Sequence, residues 1–180
     1  MLYHITNGVY QGPEELSEDL HVPSKGMRSL GNLKRIGGML VAGGSDLEDL
    51  GCLETVIGHV YLSQTRVKTL GNLRVLCDGL YASRSLLGDL GNLEEVKGDI
   101  GMGGTYIKSL GRLTKCGGSI YGILPGEPPL ILETLQEMLQ RLRALPASDI
   151  PEYLHNERYS HPILREAITG RYQELLGNHQ

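Results

Sequence analysis

The densest run of side chains able to do chemistry is His155-Asn-Glu-Arg-Tyr-Ser-His161, which offers two imidazoles and the Glu157 carboxylate within one short segment. Such groups serve as metal ligands or as an acid–base pair. Their spacing fits no metal-binding motif, and polar runs are common between helices, so a connector is the preferred reading of His155, Glu157 and His161. A small hydrolase or metal-dependent enzyme using His155–His161 is the alternative. The three cysteines, Cys52, Cys77 and Cys116, have no CxxC spacing. None has a histidine close in register to serve as its base, which a thiolate nucleophile needs. We therefore assign no catalytic residue, cofactor or metal, and expect no enzyme.

A second set of chemically able residues recurs at a fixed interval. Tyr61, Tyr81 and Tyr121 occupy one register of a twenty-residue period, in a chain with nine Tyr and no Phe or Trp. The period is written five times as Leu-Gly-x-Leu: Leu30 to Leu33, Leu50 to Leu53, Leu70 to Leu73, Leu90 to Leu93 and Leu110 to Leu113. A strict period of this length predicts a solenoid whose units bury their apolar edges against one another. Counting from Asp19, the second register reads Leu20, Leu40, Val60, Leu80, Ile100, Ile120, and the fourth reads Val22, Ala42, Leu62, Ala82, Met102, Gly122. That alternation predicts a short strand with one buried face. Met27, Leu47, Val67, Leu87 and Ile107 form a further inward column, as do Ile36, Val56, Leu76, Val96 and Cys116. Gly follows the first Leu in all five units, which suits a corner of positive φ or a close backbone approach. The charges Lys34, Glu54, Arg74, Glu94 alternate in sign along the stack, as do Arg28, Glu48 and Lys68, so most are expected to neutralise their neighbours.

The segments Val60 to Val67, Leu80 to Leu87 and Ile100 to Ile107 resemble the LxLxxNxL core of leucine-rich repeats, with Ser45, Thr65, Ser85 and Thr105 standing where that family has Asn. The unit length is similar to that of short bacterial leucine-rich repeats, and the Leu-Gly-x-Leu wording has some likeness to receptor L-domain β-helices. The resemblance implies an α+β chain: a leucine-rich-repeat parallel β-solenoid of about five to six coils over 19–124, with an N-terminal cap (1–18) and a C-terminal helical appendage (125–180). In the cap, Pro13-Glu-Glu-Leu16 reads as the start of a short helix. In the appendage, Ile131, Leu135, Met138, Leu139 and Leu142 have helical spacing. A second short segment follows Ser148, and Ser160 is the expected N-cap of a third helix.

The resemblance also implies a concave face lined by the third register, His21, Val41, Tyr61, Tyr81, Gly101 and Tyr121, where Gly101 opens a notch. Tyr and Arg are residue types that anchor protein interfaces. The candidate protein-binding residues are His59, Tyr61, Gln64, Tyr81, Arg84, Asp99, Gly101 and Tyr121. The expected function is non-enzymatic protein binding through this face or the C-terminal helices, as a stoichiometric inhibitor or adaptor of bacterial or phage origin, effector-like or acting against host defence. Self-assembly into a homo-oligomer through the C-terminal helices is the structural alternative. The net charge of −4 argues against a nucleic-acid partner. No apolar run long enough for a membrane span and no secretory signal are seen, and the odd cysteine count suits a reducing compartment, so a cytoplasmic protein is expected.

Overall fold

A computed structural model describes residues 3–177 of the 180-residue chain. The twenty-residue period becomes a parallel β-solenoid of about five coils. One six-stranded parallel sheet is built from β4 (Leu20–His21), β6 (Leu40–Val41), β8 (Val60–Tyr61), β10 (Leu80–Tyr81), β12 (Ile100–Gly101) and β14 (Ile120–Tyr121). The other contains β3 (Glu15–Leu16), β5 (Arg35–Ile36), β7 (Thr55–Val56), β9 (Val75–Leu76), β11 (Glu95–Val96) and β13 (Lys115–Cys116). Register is in steps of twenty throughout, as in Leu80↔Val60 and Leu80↔Ile100. A third side of the coil is held by single bridges, Val9↔Ser29↔Asp49 and Thr69↔Asp89.

The recurring apolar columns face inward. Leu33, Leu53, Leu73 and Leu93 are wholly buried, as are Ile36, Val56, Leu76 and Val96. The hydroxyl column Ser45, Thr65, Ser85 and Thr105 is buried with them, and Thr65 and Ser85 bond within their own coils while Thr105 faces His161 of the helical appendage. Thr65 Oγ1 donates to Leu62 O at 2.7 Å and Ser85 Oγ to Ala82 O at 2.6 Å. Among the described residues no buried side-chain polar atom lacks a partner, as a core this thin requires.

The Leu-Gly corners are locked by the residue two positions before the glycine. Asp49 Oδ1 accepts from Gly51 N at 2.8 Å and from Ser29 Oγ of the preceding coil at 2.6 Å. Thr69 Oγ1 accepts from Gly71 N and donates to Asp89 Oδ1. These are Asx- and hydroxyl-type turns stacked in register. Of the alternating charges, Lys34 meets Glu14 at 2.7 Å and Arg74 meets Glu94 at 3.1 Å, whereas Lys108 lies 3.9 Å from Glu166 of the helical appendage.

The N-terminal end differs from the expected helix at Pro13–Leu16. Glu15 and Leu16 form a strand in register with Arg35 and Ile36, because pairing with the next coil buries Leu16 while a helix there would leave the second sheet without its first strand. An antiparallel hairpin precedes it, β1 (His4–Thr6) and β2 (Val9–Gln11), turning through Asn7 and Gly8 at φ 53° and 82°. Asn-Gly is the preferred pair for so tight a turn.

At the other end Leu130 bridges Ile120 antiparallel, through bonds of 2.6 and 2.9 Å, and so covers the edge of the first sheet. The chain then forms α1 (Leu132–Arg143), α2 (Ile150–His155), a single 3-10 turn (Glu157–Tyr159) and α3 (Pro162–Gly177). Leu132, Leu135, Leu139 and Leu142 of α1 are buried, as are Ile163, Leu164, Ala167 and Ile168 of α3. None of the described helices is long and apolar enough to cross a membrane.

Candidate functional site

Alternation along a strand puts the first, third and fifth registers on one side, so the first sheet displays His59, Tyr61, Tyr81 and their neighbours outward while its other face supplies the core. In-register pairing makes Tyr61 and Tyr81 spatial neighbours. Their rings stack with centroids 5.2 Å apart and planes 12° from parallel. His59 lies against both, 5.6 Å from Tyr61 and 5.7 Å from Tyr81. Offset aromatic stacks of this kind are worth ~0.5–1.5 kcal/mol beyond their area, which holds the rings in place before any partner arrives.

Two carboxylates edge the cluster. Gly79 N donates to Asp78 Oδ1 at 2.9 Å, and His59 Nδ1 stands 3.2 Å from the same oxygen. Asp99 Oδ1 accepts from Ser119 N at 2.7 Å. Burial, then Asp99, Tyr61, Asp78 and Tyr121, push the Tyr81 hydroxyl above its ordinary value of 10.0. The charged groups felt at Tyr81 are thus negative.

Gly101 is paired between Tyr81 and Tyr121 and is itself buried. Its backbone is outside the left-handed region. A Cβ placed there would meet Ser83 Oγ and Tyr81 Cδ1 at 3.5 Å, ordinary contact. The scaffold therefore tolerates a side chain at this position, and the expected open notch is not there: Gly101 is covered by its neighbours, with the Tyr81 ring and the Ser83 hydroxyl against it. Tyr121 on the far side is 44 % exposed.

Gln64 and Arg84 follow the strands at φ 61° and 58°, while Gly44 and Gly104 hold the same register in neighbouring coils. Left-handed backbone costs an ordinary residue roughly 1–2 kcal/mol. Both side chains are exposed, so the cost is borne where polar groups are displayed beside the tyrosines.

All eight sequence-named residues lie on, or at the margins of, this sheet face. Asp78 was missed. Its signal was present, since the register that closes each unit reads Gly38, Gly58, Asp78, Gly98, Gly118.

The His155–His161 run is split by the fold. His155 is exposed with Nδ1 2.6 Å from Pro151 O. His161 is buried, and its Nδ1 accepts from Ile163 N at 3.3 Å. His161, not Ser160, therefore caps α3. Among the described residues no group of three or more His, Cys, Asp or Glu is placed to hold a metal. A separate groove lies in the appendage between Met138, Arg141, Tyr153 and Tyr159. No family model, curated protein or solved structure matches the chain.

Proposed function

We propose that this chain is a non-enzymatic protein-binding solenoid of the leucine-rich-repeat kind, which docks a partner protein on its outer tyrosine face. The observation that carries the reading is the Tyr61–Tyr81 stack with His59 against it. Three rings fixed in place in partial contact with solvent offer large contact area with little side-chain entropy left to lose. Gln64 and Arg84, held in costly backbone beside the stack, add adaptable polar contacts of the sort found around such anchors. The same reading makes the protein a stoichiometric adaptor or inhibitor, working in the cytoplasm, with bacterial or phage origin suggested by the repeat wording.

The test compares wild type with Tyr61→Ala/Tyr81→Ala as bait in extract of the producing organism, followed by mass spectrometry and by affinity measurement with the recovered protein. Circular dichroism controls for folding. A folded double variant that loses about 2 kcal/mol or more of affinity, some thirtyfold, supports the reading. Unchanged affinity overturns it.

A second reading has its own observation. Ile131, Tyr172 and Leu176 of the appendage are 54 %, 43 % and 49 % exposed, which suits a second copy of the chain. Light scattering of wild type and Ile131→Ser/Leu176→Ser separates the two: a shift from dimer to monomer on substitution supports self-assembly.

A further inference from the structure

We propose that two copies of the chain pair through the outer face of the second sheet, in an antiparallel, two-fold arrangement set by the charges along it. This goes beyond the protein-binding reading and does not rest on it, because the face belongs to a different sheet from Tyr61 and Tyr81.

The face is made by the column that alternates with the core. Leu16, Ile36, Val56, Leu76 and Val96 point inward and are buried, so the residue before each points out. Strand by strand, that outward column is Glu15, Arg35, Thr55, Val75, Glu95 and Lys115, held in register by the pairing of β3, β5, β7, β9, β11 and β13. Glu15, Arg35 and Lys115 are exposed, and the three between are half-buried. The charges thus sit toward the two ends, with the uncharged pair Thr55 and Val75 at the centre. A charge-poor centre with a charged rim is the usual anatomy of a contact between proteins.

These charges are not answered within the chain. Arg35 is in register with Glu15, and Glu95 with Lys115. Among the described residues, however, none of the four takes part in an ion pair, whereas Lys34–Glu14 and Arg74–Glu94 do so one register away.

Symmetry supplies the missing partners. A second copy turned about an axis parallel to the strands, midway between β7 and β9, presents the column in reverse order. Glu15 then faces Lys115, Arg35 faces Glu95 and Thr55 faces Val75, and the two-fold repeats each contact. Every charge in the column meets its opposite. A two-fold axis along the solenoid would instead set Arg35 on Arg35 and Glu95 on Glu95, which like-charge repulsion disfavours. Facing sheets pack ~10 Å apart, a gap that an arginine and a glutamate reaching toward each other fill. The neighbouring register fits the same pairing. Exposed Lys97 is set opposite Gly37, in a depression lined by Glu15, Leu16, Ser17, Arg35 and Ile57, where the missing side chain leaves room.

The contact is modest in size. From β3 to β13 the face runs ~24 Å at ~4.8 Å per strand, and it is narrow. That places it at the low end of interface areas, so the dimer is a transient one, formed at high concentration and weakened by salt.

The experiment is sedimentation equilibrium of the full-length protein up to about 1 mM, at low and high salt. The expected result is an average mass that rises toward twice the monomer with concentration and falls back in salt. Arg35→Glu and Glu95→Arg, each checked for folding by circular dichroism, should each weaken association at least about tenfold. Mixed in equal amounts, the two variants should associate again, because each reversed charge then meets its opposite on the other chain. The double variant Arg35→Glu/Glu95→Arg should pair with itself about as well as wild type. Wild type that stays monomeric, association indifferent to both reversals, a mixture no better than either variant alone, or masses that climb past the dimer would each overturn the proposal. Association lost in Ile131→Ser/Leu176→Ser but kept in Arg35→Glu would move the interface to the appendage and overturn it too. None of these outcomes touches the partner affinity of Tyr61→Ala/Tyr81→Ala, so the protein-binding reading is judged separately.

Discussion

The buried imidazole of His161 spans the junction between the helical appendage and the solenoid, with Nε2 3.3 Å from the carbonyl of Met102, fifty-nine residues earlier in the chain. Ile163 N occupies Nδ1 as a donor, so the proton of the neutral ring sits on Nε2, where Met102 O accepts it and Thr105 Oγ1 lies 3.5 Å away. Burial is the larger influence on this ring and lowers its pKa below 6.5, while the bond to Met102 opposes in smaller part.

The sign of the pH effect follows. Because the folded pKa is below the unfolded one, the unfolded chain takes up the proton first as pH falls. Stability from this site is intact above about pH 6.5, declines as pH drops through that value, and levels once the folded ring is also protonated. Thermal unfolding between pH 8 and 5 should show this loss in wild type. His161→Gln keeps an amide donor for Met102 O and removes the titration, so its own curve should be flatter across the same window. Parallel curves would remove His161 as the titrating group.

Two corner glycines of the same motif should respond differently to alanine. Gly51 and Gly71 both have φ +57°, but a Cβ on Gly51 overlaps Gly31 O and comes within 2.6 Å of Gly31 N, while one on Gly71 meets nothing within 4 Å. Gly71→Ala should cost about 1 kcal/mol, the left-handed strain alone. Gly51→Ala should cost roughly 2–4 kcal/mol, because backbone must also shift. Urea unfolding of the two variants checks the difference, and equal losses would contradict the stacking geometry.

Gln64 and Arg84 set stability against binding. Replacing either with Gly relieves left-handed strain but adds unfolded-state entropy, for a net gain between zero and about 1 kcal/mol. Partner affinity should fall in the same variants. A variant that gained stability and kept full affinity would mean that these side chains are displayed for nothing on this face.

The solenoid was legible because its signal is repeated. Each inward column, and the Ser45, Thr65, Ser85, Thr105 hydroxyls beside it, reports the same geometry several times, so one deviant such as Cys116 does not blur it. The appendage helices were legible from the spacing of Leu135, Leu139 and Leu142. What failed was local and unrepeated. Pro13-Glu-Glu-Leu16 carries helix-start cues, yet pairing of Leu16 with Ile36 across twenty residues overrides them. The true local cue, Asn7-Gly8, went unused. His161 as a helix cap could not be read ahead, since histidine is not a favoured cap and its role comes from burial against Met102. At the candidate site, the column logic brought Tyr61 beside Tyr81, and Asp78 was legible as the one carboxylate in a glycine register, while the left-handed backbone of Gln64 and Arg84 became visible only with the coil built.

Carboxylates at different registers should differ sharply in what they are worth. Asp49 Oδ1 accepts from both Gly51 N and Ser29 Oγ, tying a turn to the coil before it. Asp49→Ala leaves both donors to find water and should cost about 1–2 kcal/mol, the size of a lost cap. Asp49→Asn keeps the accepting oxygen and should recover most of that. Glu94, by contrast, meets Arg74 at 3.1 Å on an open surface, where both side chains are more than a third exposed. Its interaction is screened by solvent, so Glu94→Ala should change stability by no more than about 0.5 kcal/mol. Urea unfolding at low and high salt distinguishes them: the Asp49 effect persists in salt because it is a turn bond, and the Glu94 effect vanishes because it is a charge pair. A salt-sensitive Asp49 would place it among the neutralising charges instead of the corner locks.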